Sequence, residues 1–287
     1  MLAGPDSEDA GLSADLNRYI GRERIEWDEV SVPRFRKLAA LLDKDPQAVA
    51  EGQDLPLGWS CLLFPEVARQ SEIGRDGHAM AGDFLPPTPF PNRRFAGRTI
   101  ELRAALSIGE RVRRRSVIDE IQPKQGKSGP LVFVTIRHEI SGAGGAIAYV
   151  EAQRVVYLHE TRPSKRPAPP LPEPIWQEHY TPDSISLFRY SALTFNAHRI
   201  HYDLPYARDE EKYPQLVVNG GLTTLKLLDM VGRHFQGKIT GYDVRAVSPL
   251  FAGRPVSLCG AHHQDGLLLW ALSSDDQLAM TINVKVQ

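Results

Sequence analysis

Apolar and polar positions alternate along residues 16–30, with Tyr19, Ile20, Ile25 and Trp27 set among charges. This predicts a short helix or strand over a core edge. Ser31-Val32-Pro33 reads as a helix start with Pro in the first turn. Phe35, Leu38, Ala39, Leu41 and Leu42 follow at helical spacing, and the helix is expected to end near Asp43-Lys44-Asp45-Pro46. From residue 98 the texture changes to β-branched and aromatic runs. Four strands are predicted at residues 99–107, 111–121, 131–140 and 145–157, with Gly109, Gly126, Gly129, Gly142 and Gly144 in the breaks. The second half replays this order. A polar helical segment at 186–203 precedes a helix at 222–235, whose apolar positions are Leu222, Leu225, Leu227, Leu228, Met230 and Val231. Strands are then predicted at 239–246, 255–263, 266–273 and 277–286.

A helix followed by an antiparallel meander, twice, describes an α+β chain with an internal duplication packed in layers. Phe35-Arg36 recurs as Phe188-Arg189, 153 residues on. At that offset Ala39 falls on Ala192, Asp43 on Asn196 and Asp45 on His198. Residues 161–175 hold six prolines and predict a stiff linker between a first domain, 1–160, and a second, 176–287. The stretch 84–91 is too rich in Pro for regular structure and ends beside Arg93 and Arg94. The long loop that contains it, residues 59–97, is rich in Pro and Gly and is either a binding loop or a solvated connector. The run Arg111, Arg113, Arg114, Arg115 is expected on a solvated strand edge, with a phosphate patch as the alternative.

Composition narrows the class. Hydrophobic residues make up 42% and charged residues 24% of 287, as in ordinary globular proteins. A formal net charge of −1 provides no field for nucleic acid or an anionic membrane. Two cysteines, Cys61 and Cys259, supply no disulfide framework and fit a cytoplasmic location. The acidic start lacks the features of a signal peptide, and residues 1–12 read as a mobile tail. No apolar run approaches the ~20 residues of a membrane helix.

Candidate chemistry concentrates in residues 186–221. Asn196, His198, His201 and Asp203 fall within eight positions, and Asn219-Gly220-Gly221 opens the predicted helix. A Gly-Gly pair lets a ligand approach free N–H groups at a helix start. A base beside such donors suits addition to, or elimination from, a polarised carbonyl compound. Asp203, two positions beyond His201 in an extended segment, is expected to point away from it.

The run Tyr-Ser-Ala-Leu-Thr-Phe-Asn-Ala-His-Arg-Ile-His-Tyr-Asp, with Tyr213-Pro214 and Asn219-Gly220 after it, resembles the hydratase motif of MaoC-like hot-dog proteins. It looks closest to the double hot-dog branch with dehydratases and mesaconyl-CoA or itaconyl-CoA hydratases. The resemblance implies two antiparallel sheets, each wrapped around a long helix. It implies His201 as catalytic acid–base, Asn196 where the family has its catalytic Asp, and Gly220 as the N–H donor to the thioester oxygen. His198 falls on the family Asn, Arg199 on its Pro, and Asn219 on its usual His. Ala48 stands where the first half would need a His, so the first half is expected to supply a wall and acyl pocket. The implied reaction is reversible hydration of an enoyl-CoA, such as mesaconyl-CoA or itaconyl-CoA. The alternatives are a 3-hydroxyacyl dehydratase on CoA or acyl carrier protein and a non-catalytic acyl-CoA binder. Arg93, Arg94, Arg98, Arg199 and Arg208 are candidates for CoA phosphates or a substrate carboxylate, and Gly221 and His198 for substrate contact. No metal and no cofactor is implied, and a homo-oligomer is expected.

Overall fold

The computed structural model describes residues 16–80, 84–90, 92–126, 129–158 and 170–287. The expected tail at 1–12 and most of the Pro-rich linker, 161–169, lie outside the described residues. The first half contributes β1 (Glu23–Glu29), α1 (Val32–Leu41), β2 (Asn92–Leu102), β3 (Arg111–Gly126), β4 (Gly129–Ser141) and β5 (Ile147–Leu158). The second contributes β6 (Trp176–Tyr180), α2 (Ser184–Thr194), α3 (Leu204–Asp209), α4 (Gly220–His234), β7 (Ile239–Ala246), β8 (Val256–His263), β9 (Gly266–Leu272) and β10 (Leu278–Val286). No helix among the described residues is long and apolar enough to cross a membrane.

All ten strands form one antiparallel sheet, in the order β1-β3-β4-β5-β2-β7-β10-β9-β8-β6. This corrects the expectation of two separate sheets. Arg98–Glu101 pairs with 241–244, so β2 and β7 cover each other's edge and leave none exposed at the junction. The order reads as the same five strands mirrored about that seam.

The duplication is visible in the turns. A 3-10 turn at Pro46–Ala48 recurs 153 residues later at Arg199–His201, and β1 and β6 start at the same offset. Ala48 therefore does occupy the place of His201. A second correction concerns the helices. Only the second half carries a long helix, the fifteen-residue α4, which buries Leu222, Leu225, Leu227, Leu228, Met230 and Val231. Among the described residues the first half has the ten-residue α1 and short turns instead. Phe35 of α1 stacks on Trp59 at 6.0 Å, and both belong to the core that α4 enters. Fully burying side chains of this size contributes roughly 1.5–3 kcal/mol each.

Two sequence expectations shift in place. β2 begins seven residues earlier than predicted, so Arg93 and Arg94 pair with β5 at Tyr157 and Val156 instead of closing a loop. The arginine run of β3 is not an edge, because β1 covers it. Arg114 pairs with Glu26 at 2.6 Å and Arg115 with Glu23 at 2.6 Å, while Arg111 lies over the Trp27 ring.

Candidate active site

Helix α2 begins at a reciprocal cap, in which Asp183 Oδ1 accepts from Ser186 N–H at 2.7 Å and Ser186 Oγ accepts from Asp183 N–H at 3.1 Å. It ends at Phe195, whose left-handed φ of 54° turns the chain sharply. Asn196 then continues the turn. Its Oδ1 accepts from His198 N–H at 3.0 Å, an Asx turn that leads into the Arg199–His201 turn. The Asn196 carboxamide is therefore part of the scaffold that presents His198 and His201.

His201 is buried, and its Nδ1 lies 2.8 Å from the Val217 carbonyl oxygen. A carbonyl only accepts, so Nδ1 carries the hydrogen and Nε2 keeps the lone pair. Val217 N–H also donates to the Ile200 oxygen at 3.0 Å, which fastens the His201 turn to the strand-like lead into α4. Burial pushes the His201 pKa down to about 4 against the pull of the Val217 bond, and nearby His78 lowers it further. The ring is thus a neutral acceptor at neutral pH.

Three residues past Val217, α4 opens at Gly220. The first N–H groups of any helix lack intrahelical acceptors. Gly221 is required by contact, since a Cβ there would sit 2.1 Å from the Tyr190 hydroxyl oxygen. Asn219 faces inward: it is buried, and its Nδ2 donates to Ser191 Oγ at 3.3 Å, tying α4 to α2.

A loop from the first half completes the cluster. The turn at Gln70–Glu72 and the bridge between Ile73 and Ala79 shape residues 70–80 into a small hairpin. Asp76 oxygen accepts from Arg199 N–H at 2.9 Å, and Arg75 oxygen accepts from Arg199 Nη1 at 3.1 Å. His78 packs against His198 with ring centroids 4.1 Å apart and the rings tilted by 39°, and His198 meets His201 edge-on at 5.5 Å. His78 Nδ1 lies 2.8 Å from Asp76 Oδ2. Burial opposes ionisation of Asp76, yet hydrogen bonds from the His78 ring and N–H hold its carboxyl well below the usual range. Burial, then the neighbouring imidazoles, push His198 down to about 2.

Sequence reading missed Asp76 and His78. The available signal was weak: a Gly between an acid and a His, in a stretch already suspected of binding. Asp76, His78 and His198 each place a potential metal-ligand atom within 4.8 Å of the others. His78 Nδ1, however, is already committed to Asp76.

The expected arginines are separated. Arg93 reaches Glu66 at 3.5 Å, Arg94 pairs with Glu211 at 3.0 Å, and Arg98 with Glu151 at 2.7 Å. Arg199 pairs with Asp203 at 2.7 Å. Asp203 also caps α3 by accepting from Tyr206 N–H at 3.1 Å, so its carboxylate is committed to Arg199 and that cap. Arg208 is exposed and only 4.0 Å from Asp209. Of the residues singled out in sequence, the structure brings together Asn196, His198 and His201, with Val217 tying His201 to the start of α4.

The chain is 38% identical over 277 residues to mesaconyl-C(4)-CoA hydratase of Chloroflexus aurantiacus, covering 96% of this chain and 99% of that protein. It is 26% identical over 230 residues to the mitochondrial hydroxyacyl-thioester dehydratase type 2 of Schizosaccharomyces pombe, covering 70% of this chain and 76% of that one. A conserved protein of Mycobacterium tuberculosis with a double hot-dog fold superposes with a TM-score of 0.59 at 12% identity, over 93% of this chain and 96% of that one. The ten-stranded mirrored sheet is accordingly a double hot-dog fold. The pattern of the family described as hydroxyacyl-thioester dehydratase type 2 spans residues 58–252, from the 3-10 turn at Trp59–Leu62 to the loop between β7 and β8, and with it the chain is placed in the hydroxyacyl-thioester dehydratase type 2 family of MaoC-like hot-dog proteins.

Proposed function

We propose that this protein is a hydro-lyase that adds water reversibly across the α,β double bond of an enoyl-CoA thioester, with mesaconyl-C(4)-CoA as its substrate. The observation that carries this reading is the tautomer of His201. Its Nδ1–H is held by Val217 oxygen, so Nε2 is a fixed base beside the start of α4. His201 Nε2 takes a proton from water as the oxygen bonds the β carbon. Gly220 N–H receives the charge that develops on the thioester oxygen, an interaction worth about 3 kcal/mol in comparable sites. Asn196 holds the turn that sets the base, and Gly221 lets Tyr190 pack against the start of α4.

His198 and Asn219 serve this site as packing behind His201 and α4. Arg93, Arg94 and Arg199 line the approach as candidates for the CoA phosphates, each exchanging or sharing its present carboxylate partner. Residues 1–160 act as the wall of the site and 176–287 carry the motif, joined through 161–175. Beyond the CoA thioester itself the reaction calls for no cofactor. The substrate choice is supported by the Chloroflexus relative, whose name specifies mesaconyl-C(4)-CoA.

The test mixes purified protein with mesaconyl-C(4)-CoA, itaconyl-CoA and crotonyl-CoA separately and follows loss of enoyl-thioester absorbance. Turnover of the first, reduced ~10²–10⁴-fold in His201→Ala with the fold intact, is the expected result. Normal activity in His201→Ala would refute the site. The family pattern, described by dehydratase chemistry, favours one second reading: the same reaction run backwards on a 3-hydroxyacyl carrier protein. Activity confined to that carrier would establish it.

A further inference from the structure

The three imidazoles of the cluster differ in what stands behind them. His201 holds a backbone carbonyl, and His198 Nε2 is buried with no partner among the described residues. His78 holds a carboxylate, Asp76 Oδ2. Position 196, where the family motif carries an acid, is an amide whose oxygen is spent on the His198 N–H. Among the described residues, the carboxylate in contact with this cluster therefore comes from the other half of the chain.

That carboxylate is held as firmly as a motif residue. Asp76 receives His78 N–H on Oδ1 at 3.0 Å, the His78 ring on Oδ2, and Arg199 N–H on its carbonyl. Gly77, at φ +92°, passes so close to Ala197 that a Cβ would lie 1.8 Å from its carbonyl oxygen. His78 also differs in access. Its side chain is 27% exposed, while His198 and His201 are buried. The charged groups around it are Asp76, the two other imidazoles, Arg94 neutralised by Glu211, and Arg199 neutralised by Asp203.

We propose that Asp76 and His78 form the second proton-transfer group of this active site, with His78 exchanging the proton at the substrate α carbon. The proposal rests on the hydratase reading above. Asp76 fixes His78 with Nδ1–H toward the carboxylate, which leaves Nε2 as the ring nitrogen for the substrate. In hydration, His201 Nε2 removes a proton from water as the water oxygen bonds the β carbon. The π pair moves onto the α carbon and thioester oxygen. Doubly protonated His78 then gives its Nε2 proton to the α carbon, and the thioester carbonyl re-forms. His201 releases its extra proton to solvent and His78 regains one, so each cycle consumes one water and no other reactant.

The test uses the full chain and mesaconyl-C(4)-CoA, with His78→Gln, His78→Ala, Asp76→Asn and Arg75→Ala. His78→Gln retains a donor for Asp76 and is expected to lower kcat by ~10²–10⁴-fold with KM changed by less than about threefold. Asp76→Asn is expected to lose less and to shift one limb of the pH–rate profile. Added imidazole is expected to restore part of the His78→Ala rate. Arg75→Ala removes only the exposed pair with Glu210, 2.7 Å long, and reports loosened loop docking without loss of the imidazole.

Wild-type turnover together with a His78→Gln rate within about threefold of it would overturn this proposal and leave the hydratase reading standing. Equal losses in Arg75→Ala and His78→Ala, neither moved by imidazole, would assign the effect to loop docking and also overturn it. A wild type silent on every enoyl thioester would fell both readings together.

Discussion

Gly77→Ala is the most direct perturbation of the contact between the two halves. Alanine at φ +92° is strained by about 1–2 kcal/mol whatever its surroundings. Its Cβ would also lie 1.8 Å from the Ala197 oxygen and 2.7 Å from the Ala197 carbonyl carbon, against an ordinary contact of at least 3.4 Å. The loop must therefore retreat from the 195–203 segment. Retreat breaks two hydrogen bonds from Arg199, to Asp76 oxygen and Arg75 oxygen, each contributing about 1 kcal/mol. It also parts the His78 and His198 rings, a contact of about 0.5–1.5 kcal/mol. The loop can detach without unfolding the sheet, so the loss to global stability is capped at the docking energy, about 3 kcal/mol in total. The expected outcome is a modest fall in the denaturant midpoint, much faster tryptic cleavage at Arg75, and a loss of hydratase turnover larger than the stability change explains. A Gly77→Ala protein with wild-type midpoint, protease resistance and turnover would refute the docking argument.

Three further outcomes follow from the same coordinates. Gly221→Ala places a Cβ 2.1 Å from the Tyr190 hydroxyl and is expected to cut turnover at least ~10-fold, and Tyr190→Phe in the same chain is expected to recover part of it, a coupling read by a double-mutant cycle. Asn196→Asp keeps the acceptor for His198 N–H, so the melting temperature is expected to hold, while the added charge moves the acid limb of the rate profile to higher pH. His138 and His201 are pushed by burial down to about 4, and His198 to about 2, from an unfolded value of 6.5. Between pH 6.5 and 4 the unfolded chain binds more protons, so stability falls on acidification by about 1.4 kcal/mol per pH unit for each. Denaturant midpoints from pH 7 to 4.5 read this slope, and His138→Gln is expected to flatten it by roughly a third.

The elements of the fold were largely legible in the sequence because they rest on local periodicity. β7 falls on 239–246 as its β-branched alternation predicts, and α4 begins two residues before its apolar stripe, at the Gly pair. The single sheet was not legible. It depends on the seam where Arg98–Glu101 meets β7, a pairing between residues some 140 apart that leaves no local pattern. β6 was missed for a related reason: five residues after a run of prolines carry too short an alternation to stand out.

The candidate site divides along the same line. His201, Gly220 and Gly221 stood out in sequence because the His-rich turn and the Gly-Gly helix start each fall within a few consecutive residues. Asp76 and His78 could not, since their neighbours are 120 residues away and only Gly77, with its φ of +92° against Ala197, marks the approach. The duplication gives this a physical rationale. The first half repeats the helix and the 3-10 turn but ends that turn in Ala48, and it lacks a long helix among the described residues. Its turn ends without the imidazole that His201 supplies in the second half. Its chain between α1 and β2 is instead free to run across the partner half, where the loop brings a carboxylate to a cluster whose own motif carries an amide. The same segment thus accounts for two observations, the missing long helix of the first half among the described residues and the contact of Asp76 and Gly77 with residues 197–199.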